Sequence, residues 1–143
     1  MNDKEFIKLA IKQSKLSISQ GRFPAGALIV SKNEIIASEM SDIYPGYQHA
    51  ECKAIDNAFL KMGKLTDATL YASMEPCLMC LARAYWSGIR RIVFAISRDK
   101  LNQQDYEGLQ DNREVLQNFN EPIEYLQIEG MENEALKVLQ IQK

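Results

Sequence analysis

Apolar side chains recur at helical or strand spacing along most of the chain. Over residues 3–19 they return every three or four positions, which predicts an amphipathic helix that ends at Gly21. Two short runs rich in apolar residues, 27–30 and 34–37, flank the polar residues 31–33. This arrangement predicts a β-hairpin.

The middle of the chain alternates between helix and strand. After a loop over 38–48, which precedes the chain's only histidine and suits contact with a substrate, we expect a helix over roughly 49–62. Residues 69–72 are typical of a short strand, 78–86 of a mostly apolar helix, and 91–96 of a continuous apolar strand. Helix, strand, helix and strand in this order predict a parallel βαβ core.

The last third of the chain is less regular. Residues 123–128 predict a further strand and 132–140 a closing helix. Between 103 and 119 the chain is polar, and a few apolar residues near the end of this stretch suggest a helix whose start the pattern does not fix. Because no repeat, low-complexity tract or linker interrupts the chain, we predict a single three-layer α/β domain over 1–143.

The charge balance favours a small-molecule partner over a nucleic acid. The chain has 17 Lys and Arg against 19 Asp and Glu, a formal net charge of −2, whereas nucleic-acid binders usually carry a net basic footprint. A local basic patch is an alternative, although such residues are more commonly solvated ends of helices and strands. Its candidates are Arg83, Arg90, Arg91, Arg98 and Lys100.

Cysteine usage and the ends of the chain bear on its compartment. Three cysteines are an odd number, and two of them lie in one motif, which favours a reducing environment over a disulfide framework. The N-terminus has no apolar signal core, and no apolar run approaches membrane-spanning length. We therefore expect a cytoplasmic protein without a membrane partner.

The candidate chemistry lies in two short stretches, 49–51 and 76–80. They contain one imidazole, His49, and two thiols, Cys77 and Cys80. Catalytic zinc usually takes three protein ligands and leaves its fourth position to water, whereas structural zinc usually has four protein ligands. These three residues therefore predict a catalytic zinc site with one ion per chain.

Glu51 is the candidate general acid and base. It lies two residues from His49, so it is a poor fourth ligand but well placed to exchange protons with a water at the metal. Cys77 and Cys80, three apart, share one helix face, whereas His49 and Glu51 converge only in a first helical turn. We therefore place both ligand sets at helix N-termini, whose partial positive charge favours thiolates.

The same residues also have other interpretations. A C-x-x-C pair alone is also typical of a redox motif or of two buried thiols, and a single histidine is usually a surface or core residue. The combination with Glu51 favours catalytic zinc. Cys52, three positions after His49, is either a substitute ligand or a small buried apolar residue, and we prefer the second interpretation because it is the commoner one.

The pattern H-x-E … P-C-x-x-C is an established signature of zinc-dependent nucleobase deaminases. Together with residues 24–30 and Tyr85-Trp86, it makes the chain similar to the cytidine-deaminase-like superfamily. Within that superfamily it resembles the branch of guanine, cytosine and tRNA adenosine deaminases. The resemblance covers roughly residues 5–100.

This resemblance implies a three-layer α/β/α fold with a mixed five-stranded sheet, and frequently a homodimer. It implies zinc at the three ligands named above, with Glu51 as proton shuttle. It also implies that the backbone amide of Ala50 contacts the base and that the backbone at Met74 or Glu75 receives the departing amino group.

The chain departs from the family pattern before His49. Family members generally carry an asparagine after the second hairpin strand, and the nearest residues here are Ser41 and Asp42. Because ionised aspartate only accepts hydrogen bonds, we hypothesise that Asp42 binds a substrate presenting two donors, the alternative being an ordinary turn or capping residue. Tyr44 and Tyr47 are candidates for stacking on a base, although loop tyrosines are more often surface packing.

We expect a deaminase acting on a free nucleobase or nucleoside of guanine or cytosine type. One alternative is a tRNA-specific adenosine deaminase, which would flip a base into the same pocket. The other is a catalytically silent, zinc-scaffolded subunit of a larger complex. Glu51 argues against the silent subunit, because structural zinc has no use for a proton shuttle.

Overall fold

A computed structural model of the chain describes residues 1–42, 47–109 and 111–140. Five helices and five strands lie within these residues. The helices are α1 (Asp3–Ser19), α2 (Ala50–Met62), α3 (Leu78–Ser87), α4 (Asn112–Gln117) and α5 (Glu132–Gln140), and the strands are β1 (Gly26–Ser31), β2 (Glu34–Met40), β3 (Ala68–Met74), β4 (Arg91–Ile96) and β5 (Glu124–Gln127).

The strands form one mixed sheet in the order β2-β1-β3-β4-β5. The β1 strand pairs antiparallel with both β2 and β3, whereas β3, β4 and β5 run parallel. Lys32 and Asn33 turn the hairpin with positive φ angles of 51° and 63°, as a two-residue hairpin loop requires. The predicted hairpin, parallel βαβ core and mixed five-stranded sheet are confirmed.

The helices cover the two faces of the sheet. α1 contacts α5, and both pack on the sheet, whereas α2 contacts α3 and packs against β1 and β2. The parallel crossover β3-α3-β4 brings the start of α3 to the carboxyl end of β3, which is the edge where ligands bind in open α/β sheets. The three-layer α/β/α prediction is confirmed.

Burial explains why the first strand is so apolar. Every residue of β1 is buried, because α1 covers one face of this strand and α2 the other. Gly26 begins the strand directly beside α1, and a Cβ at this position would lie 2.2 Å from the carbonyl oxygen of Ala10. The strand therefore needs glycine for packing rather than for an unusual φ angle.

Several boundaries differ from those the pattern predicts. The β2 strand continues to Met40 and β3 to Met74, so both strands reach further toward the predicted zinc ligands. The irregular stretch after β4 contains two short 3-10 turns and then α4, whose start is capped by the Asp111 side chain accepting from the Arg113 amide at 2.9 Å. A six-residue helix is too short to show a clear period.

Among the residues that the structure describes, no helix combines the length and the apolar character needed to cross a bilayer.

Candidate metal centre and active site

The starts of α2 and α3 bring the three predicted ligands together. His49 is the N-cap of α2, Cys77 is the N-cap of α3, and Cys80 lies one turn further along α3. The Nδ1 atom of His49 lies 3.3 Å from Cys77 Sγ and 3.5 Å from Cys80 Sγ. All three ligand atoms lie within 4.8 Å of one another.

This donor set fits a zinc ion. For Zn–N and Zn–S bonds of roughly 2.0 to 2.3 Å at tetrahedral angles, ligand atoms are expected about 3.5 to 3.8 Å apart. The observed nitrogen-to-sulfur distances of 3.3 and 3.5 Å are close to that spacing. One imidazole and two thiols are also ligands that zinc prefers, and three of them leave one coordination position open.

Electrostatics favour the ligating form of the first thiol. Hydrogen bonding with Cys80 and with His49 lowers the pKa of Cys77 to about 5, although burial acts in the opposite direction. The hydrogen bond with Cys77 raises the pKa of His49 to about 9. Contacts with the thiols of Cys52 and Cys77, together with burial, raise the pKa of Cys80. The thiolate, rather than the neutral thiol, is the form of cysteine that binds metals.

Glu51 lies in the first turn of α2 and is only 5% exposed. Its burial raises the pKa of its carboxyl group to about 7, and the nearby charge of Cys77 acts in the same direction. Its side chain also lines the cavity at the ligand cluster. A buried carboxyl group whose pKa lies near neutrality is suited to both accepting and donating a proton.

A cavity of about 460 Å³ opens at the ligand cluster, within the range of roughly 300 to 1,000 Å³ typical of small-molecule sites. Two aromatic residues, Phe23 and Tyr106, lie in its wall. Among the described residues that line it, none is Lys or Arg, and four are acidic. These are Glu51, Glu75, Asp105 and Glu107.

Glu75 and Met74 both line this cavity, and contact of their backbone with a departing amino group stays a prediction. The carbonyl oxygen of Glu75 already accepts a hydrogen bond from the Tyr106 hydroxyl at 2.7 Å. Its buried carboxylate accepts from the Arg98 amide at 2.9 Å and from the Tyr125 hydroxyl at 2.6 Å. Glu75 therefore ties the chain after β4 to the turn that carries Cys77, a role that the sequence did not reveal.

The other two predicted substrate contacts are placed differently. Ala50 is fully buried between His49 and Glu51 and is not among the cavity-lining residues. The Asp42 carboxylate binds Lys53 Nζ at 3.1 Å and Arg22 Nη1 at 3.3 Å, also outside that lining. Its neighbour Ser41 lies in the cavity wall instead.

Cys52 stays outside the ligand cluster. It is buried, and its Sγ lies 3.2 Å from Cys80 Sγ, but it does not belong to the group of three mutually close ligand atoms. This placement agrees with a small buried residue. Of the two loop tyrosines, Tyr44 lies outside the described residues, and Tyr47 is 69% exposed and does not line the cavity.

One part of the cavity wall is formed by residues that the sequence did not indicate. Gln104, Asp105, Tyr106 and Glu107 come from the segment between β4 and α4, and Phe23 from the loop after α1. None of these positions lies in a periodic stretch or in a recognisable motif. No local signal in the chain could have assigned them to the site.

A family profile described as the cytidine and deoxycytidylate deaminase zinc-binding region matches residues 1–96. Two curated relatives illustrate the range of similar proteins. A probable cytosine deaminase of Schizosaccharomyces pombe is 35% identical over 102 residues, covering 69% of this chain and 63% of that protein. A tRNA-specific adenosine deaminase of Buchnera aphidicola is 37% identical over 107 residues, covering 71% and 66% respectively. The chain thus spans just under two thirds of the length of either relative.

A solved structure extends the likeness beyond the matched region. Guanine deaminase from Bacillus subtilis superposes with a TM-score of 0.67 at 28% sequence identity, covering 99% of this chain and 93% of that one. The elements after residue 96, which include β5, α4 and α5, therefore also have counterparts in a known structure.

Proposed function

The chain belongs to the family defined by the cytidine and deoxycytidylate deaminase zinc-binding region, and from this membership we propose that it is a zinc-dependent hydrolytic deaminase. Its reaction converts an amino group on a free nucleobase or nucleoside, of guanine or cytosine type, to a carbonyl with release of ammonia. Membership confirms the resemblance identified from the two sequence motifs. The convergence of His49, Cys77 and Cys80 beside the buried Glu51 carries the proposal.

The roles of the residues follow from their chemistry. His49, Cys77 and Cys80 would hold the zinc, which supplies a Lewis acid that acidifies water and so provides a nucleophile near neutral pH. Glu51 accepts a proton from the attacking water and passes it to the ring nitrogen beside the attacked carbon. It then takes the remaining proton from the hydroxyl group on the attacked carbon and delivers it to the amino group as the carbon–nitrogen bond breaks, so that the products are a carbonyl base and ammonia.

The acidity of the cavity supports a small, uncharged substrate. The lining has four carboxyl groups and, among its described residues, no Lys or Arg that could pair with a phosphate group. A free base or nucleoside carries no phosphate, and its amino and ring N–H groups are hydrogen-bond donors that carboxylates accept. The relatives named as cytosine and guanine deaminases indicate the chemical class of such a base.

A tRNA-specific adenosine deaminase is the second candidate, because a relative with that name is 37% identical. The candidate basic patch supports it weakly. Arg83 pairs with Asp56, Arg90 with Glu121, and Arg91 with Asp3 and Glu124. Arginines held by carboxylates offer less charge to phosphates, so we place the small-molecule function first.

The test is an ammonia-release assay on zinc-loaded protein with a panel of bases, nucleosides and pterins. We expect turnover of at least one free base or nucleoside, and bound zinc near one ion per chain by elemental analysis. Glu51→Gln should retain the zinc and lower the rate by about 10²- to 10⁴-fold, the usual contribution of a general acid and base.

Two results would contradict the proposal. If purified protein binds no zinc after loading, the proposed metal site is wrong. If zinc-loaded protein releases ammonia from none of these compounds, the proposed small-molecule substrate is wrong. A salt-sensitive gel shift with tRNA, followed by inosine formation, would instead establish the second candidate.

Three further expectations from the sequence stay predictions: one domain over 1–143, a homodimer, and cytoplasmic localisation. Gel filtration with light scattering tests the homodimer directly. Substrate binding by the Ala50 amide and by Asp42 also stays a prediction.

A further inference from the structure

The helix that carries two of the zinc ligands lacks a cap of its own. Its N-cap residue, Cys77, makes no side-chain capping hydrogen bond, and its first turn contains no Asp or Glu. The first amides of a helix have no partner within the helix and need one from elsewhere. A thiol that is to bind a metal is a poor substitute for the usual Ser, Thr, Asp or Asn.

Glu107 supplies the missing partner from a distant part of the chain. Its Oε1 accepts from the Leu78 amide and its Oε2 from the Met79 amide, both at 3.2 Å. Each bond spans nearly thirty residues of sequence. A carboxylate at this end of a helix is also favoured by the helix dipole.

The neighbouring carbonyl groups on the other side of Cys77 are held by the same segment. Tyr106 donates to the Glu75 carbonyl oxygen at 2.7 Å, and the fully buried Asn112 donates to the Pro76 carbonyl oxygen at 2.7 Å. The backbone on both sides of Cys77 is therefore held by Tyr106, Glu107 and Asn112. This segment lies beyond residues 1–96, which match the family profile.

We propose that Glu107 is a positioning residue that holds the first turn of α3, and with it Cys77 and Cys80, in the geometry that binds zinc. The inference rests on the zinc site of the proposed function. Groups that orient a metal ligand typically contribute 10- to 100-fold to metal affinity. Because Glu107 acts chiefly through the backbone amides of Leu78 and Met79, we expect an effect at the low end of that range.

Zinc affinity of the full chain, measured by chelator competition at fixed pH and salt, tests the proposal. Glu107→Ala should weaken zinc binding by about tenfold. Glu107→Gln should fall between this variant and the wild type, because its side chain keeps one acceptor oxygen and replaces the other with a donor. Glu114→Ala is the matched control, since this exposed glutamate of α4 makes no side-chain hydrogen bond to the described residues. The zinc affinity of the Glu114→Ala protein should equal that of the wild type.

Thermal unfolding with and without zinc separates positioning from simple capping. Weaker zinc binding by the folded protein reduces the rise in Tm that zinc produces, whereas loss of a cap alone lowers the Tm of both forms equally. A Glu107→Ala protein with wild-type zinc affinity and an equal fall in both Tm values would overturn the proposal. If Glu107→Ala does not fold, Glu107→Gln decides the question by the same two measurements.

The outcome also distinguishes the two proposals. If the wild-type protein binds no zinc, both the proposed function and this inference are contradicted. If the wild-type protein binds zinc and both Glu107 variants bind it with the same affinity, only the inference about Glu107 is contradicted.

Discussion

The two helices that carry the proposed metal ligands begin alike, but the acidic residue at the start of each comes from a different part of the chain. Each has a ligand as its N-cap, His49 in α2 and Cys77 in α3, and neither N-cap side chain caps its own helix. The α2 helix carries an acid, Glu51, in its own first turn, whereas the first amides of α3 bind Glu107 from a later segment. On the α2 side the acidic residue therefore belongs to the same short motif as the ligand. On the α3 side it comes from a distant part of the chain and is brought there by the tertiary structure.

This difference has a functional consequence. The acid on the α2 side is the proposed proton shuttle, so it takes part in the chemistry itself. The acid on the α3 side is proposed only to position ligands. Changes to the proposed zinc ligands should therefore have the largest effect. Changes to the α3 clamp, by which we mean the contacts of Tyr106 and Glu107 with the backbone around Cys77, should have an intermediate effect, and changes to a helix start far from the site the smallest.

The largest effect is expected when a ligand is removed from either helix. His49→Ala and Cys77→Ala should each abolish stoichiometric zinc binding and lower activity by at least about 10⁴-fold, because both the Lewis acid and the task of Glu51 are lost. Elemental analysis and ammonia release measure the two effects. Cys52→Ala is the control and should keep its zinc, since Cys52 lies outside the ligand cluster. If either variant still bound one zinc ion per chain, the ligands on the two helices would not be equally necessary for zinc binding.

An intermediate effect is expected at the clamp on the α3 side. Tyr106→Phe removes the hydroxyl that donates to the Glu75 carbonyl oxygen, and it should cost about 1 kcal/mol of stability. Urea unfolding measures this cost. The exposed Tyr47 provides a matched control, and Tyr47→Phe should leave the free energy of unfolding unchanged within about 0.5 kcal/mol. Equal stability of Tyr106→Phe and the wild type would show that this contact does not hold the Cys77 turn.

The smallest effect is expected at the start of α1, which needs no distant cap. The Asn2 side chain caps this helix, and Asp3 in its first turn binds Arg91 Nη2 at 2.6 Å. Because the hydrogen bond from Arg91 lowers the pKa of Asp3 below its ordinary 3.8, the pair stabilises the fold at neutral pH, and this contribution is lost as the pH falls through the lowered pKa. Since the pair is partly exposed, Asp3→Asn should cost less than about 1 kcal/mol at pH 7.

The pH dependence checks the sign of this effect. The difference in unfolding free energy between wild type and Asp3→Asn should shrink as the pH is lowered from 7 to about 3. A difference that stays constant over this range would show that the charge of Asp3 contributes nothing. Zinc affinity should be the same in both proteins at neutral pH.

The sequence by itself determined the parts of the protein that have a local signal. The helical period over the first helix, the apolar runs of β1 and β4, and the polar hairpin turn each depend on residues close together in the chain. The same holds for the proposed ligand set, because the spacing of His49 and Glu51 and that of Cys77 and Cys80 each fit the start of a helix, independently of the rest of the chain.

Only the tertiary structure decided the rest of the site. It placed Asp42 in ion pairs with Lys53 and Arg22 rather than in the cavity wall, and it brought Tyr106 and Glu107 to the turn that carries Cys77. These contacts join residues far apart in sequence, and their formation depends on which strands and helices meet at one edge of the sheet. Neither periodicity nor motif spacing carries that information, since both describe only neighbours along the chain.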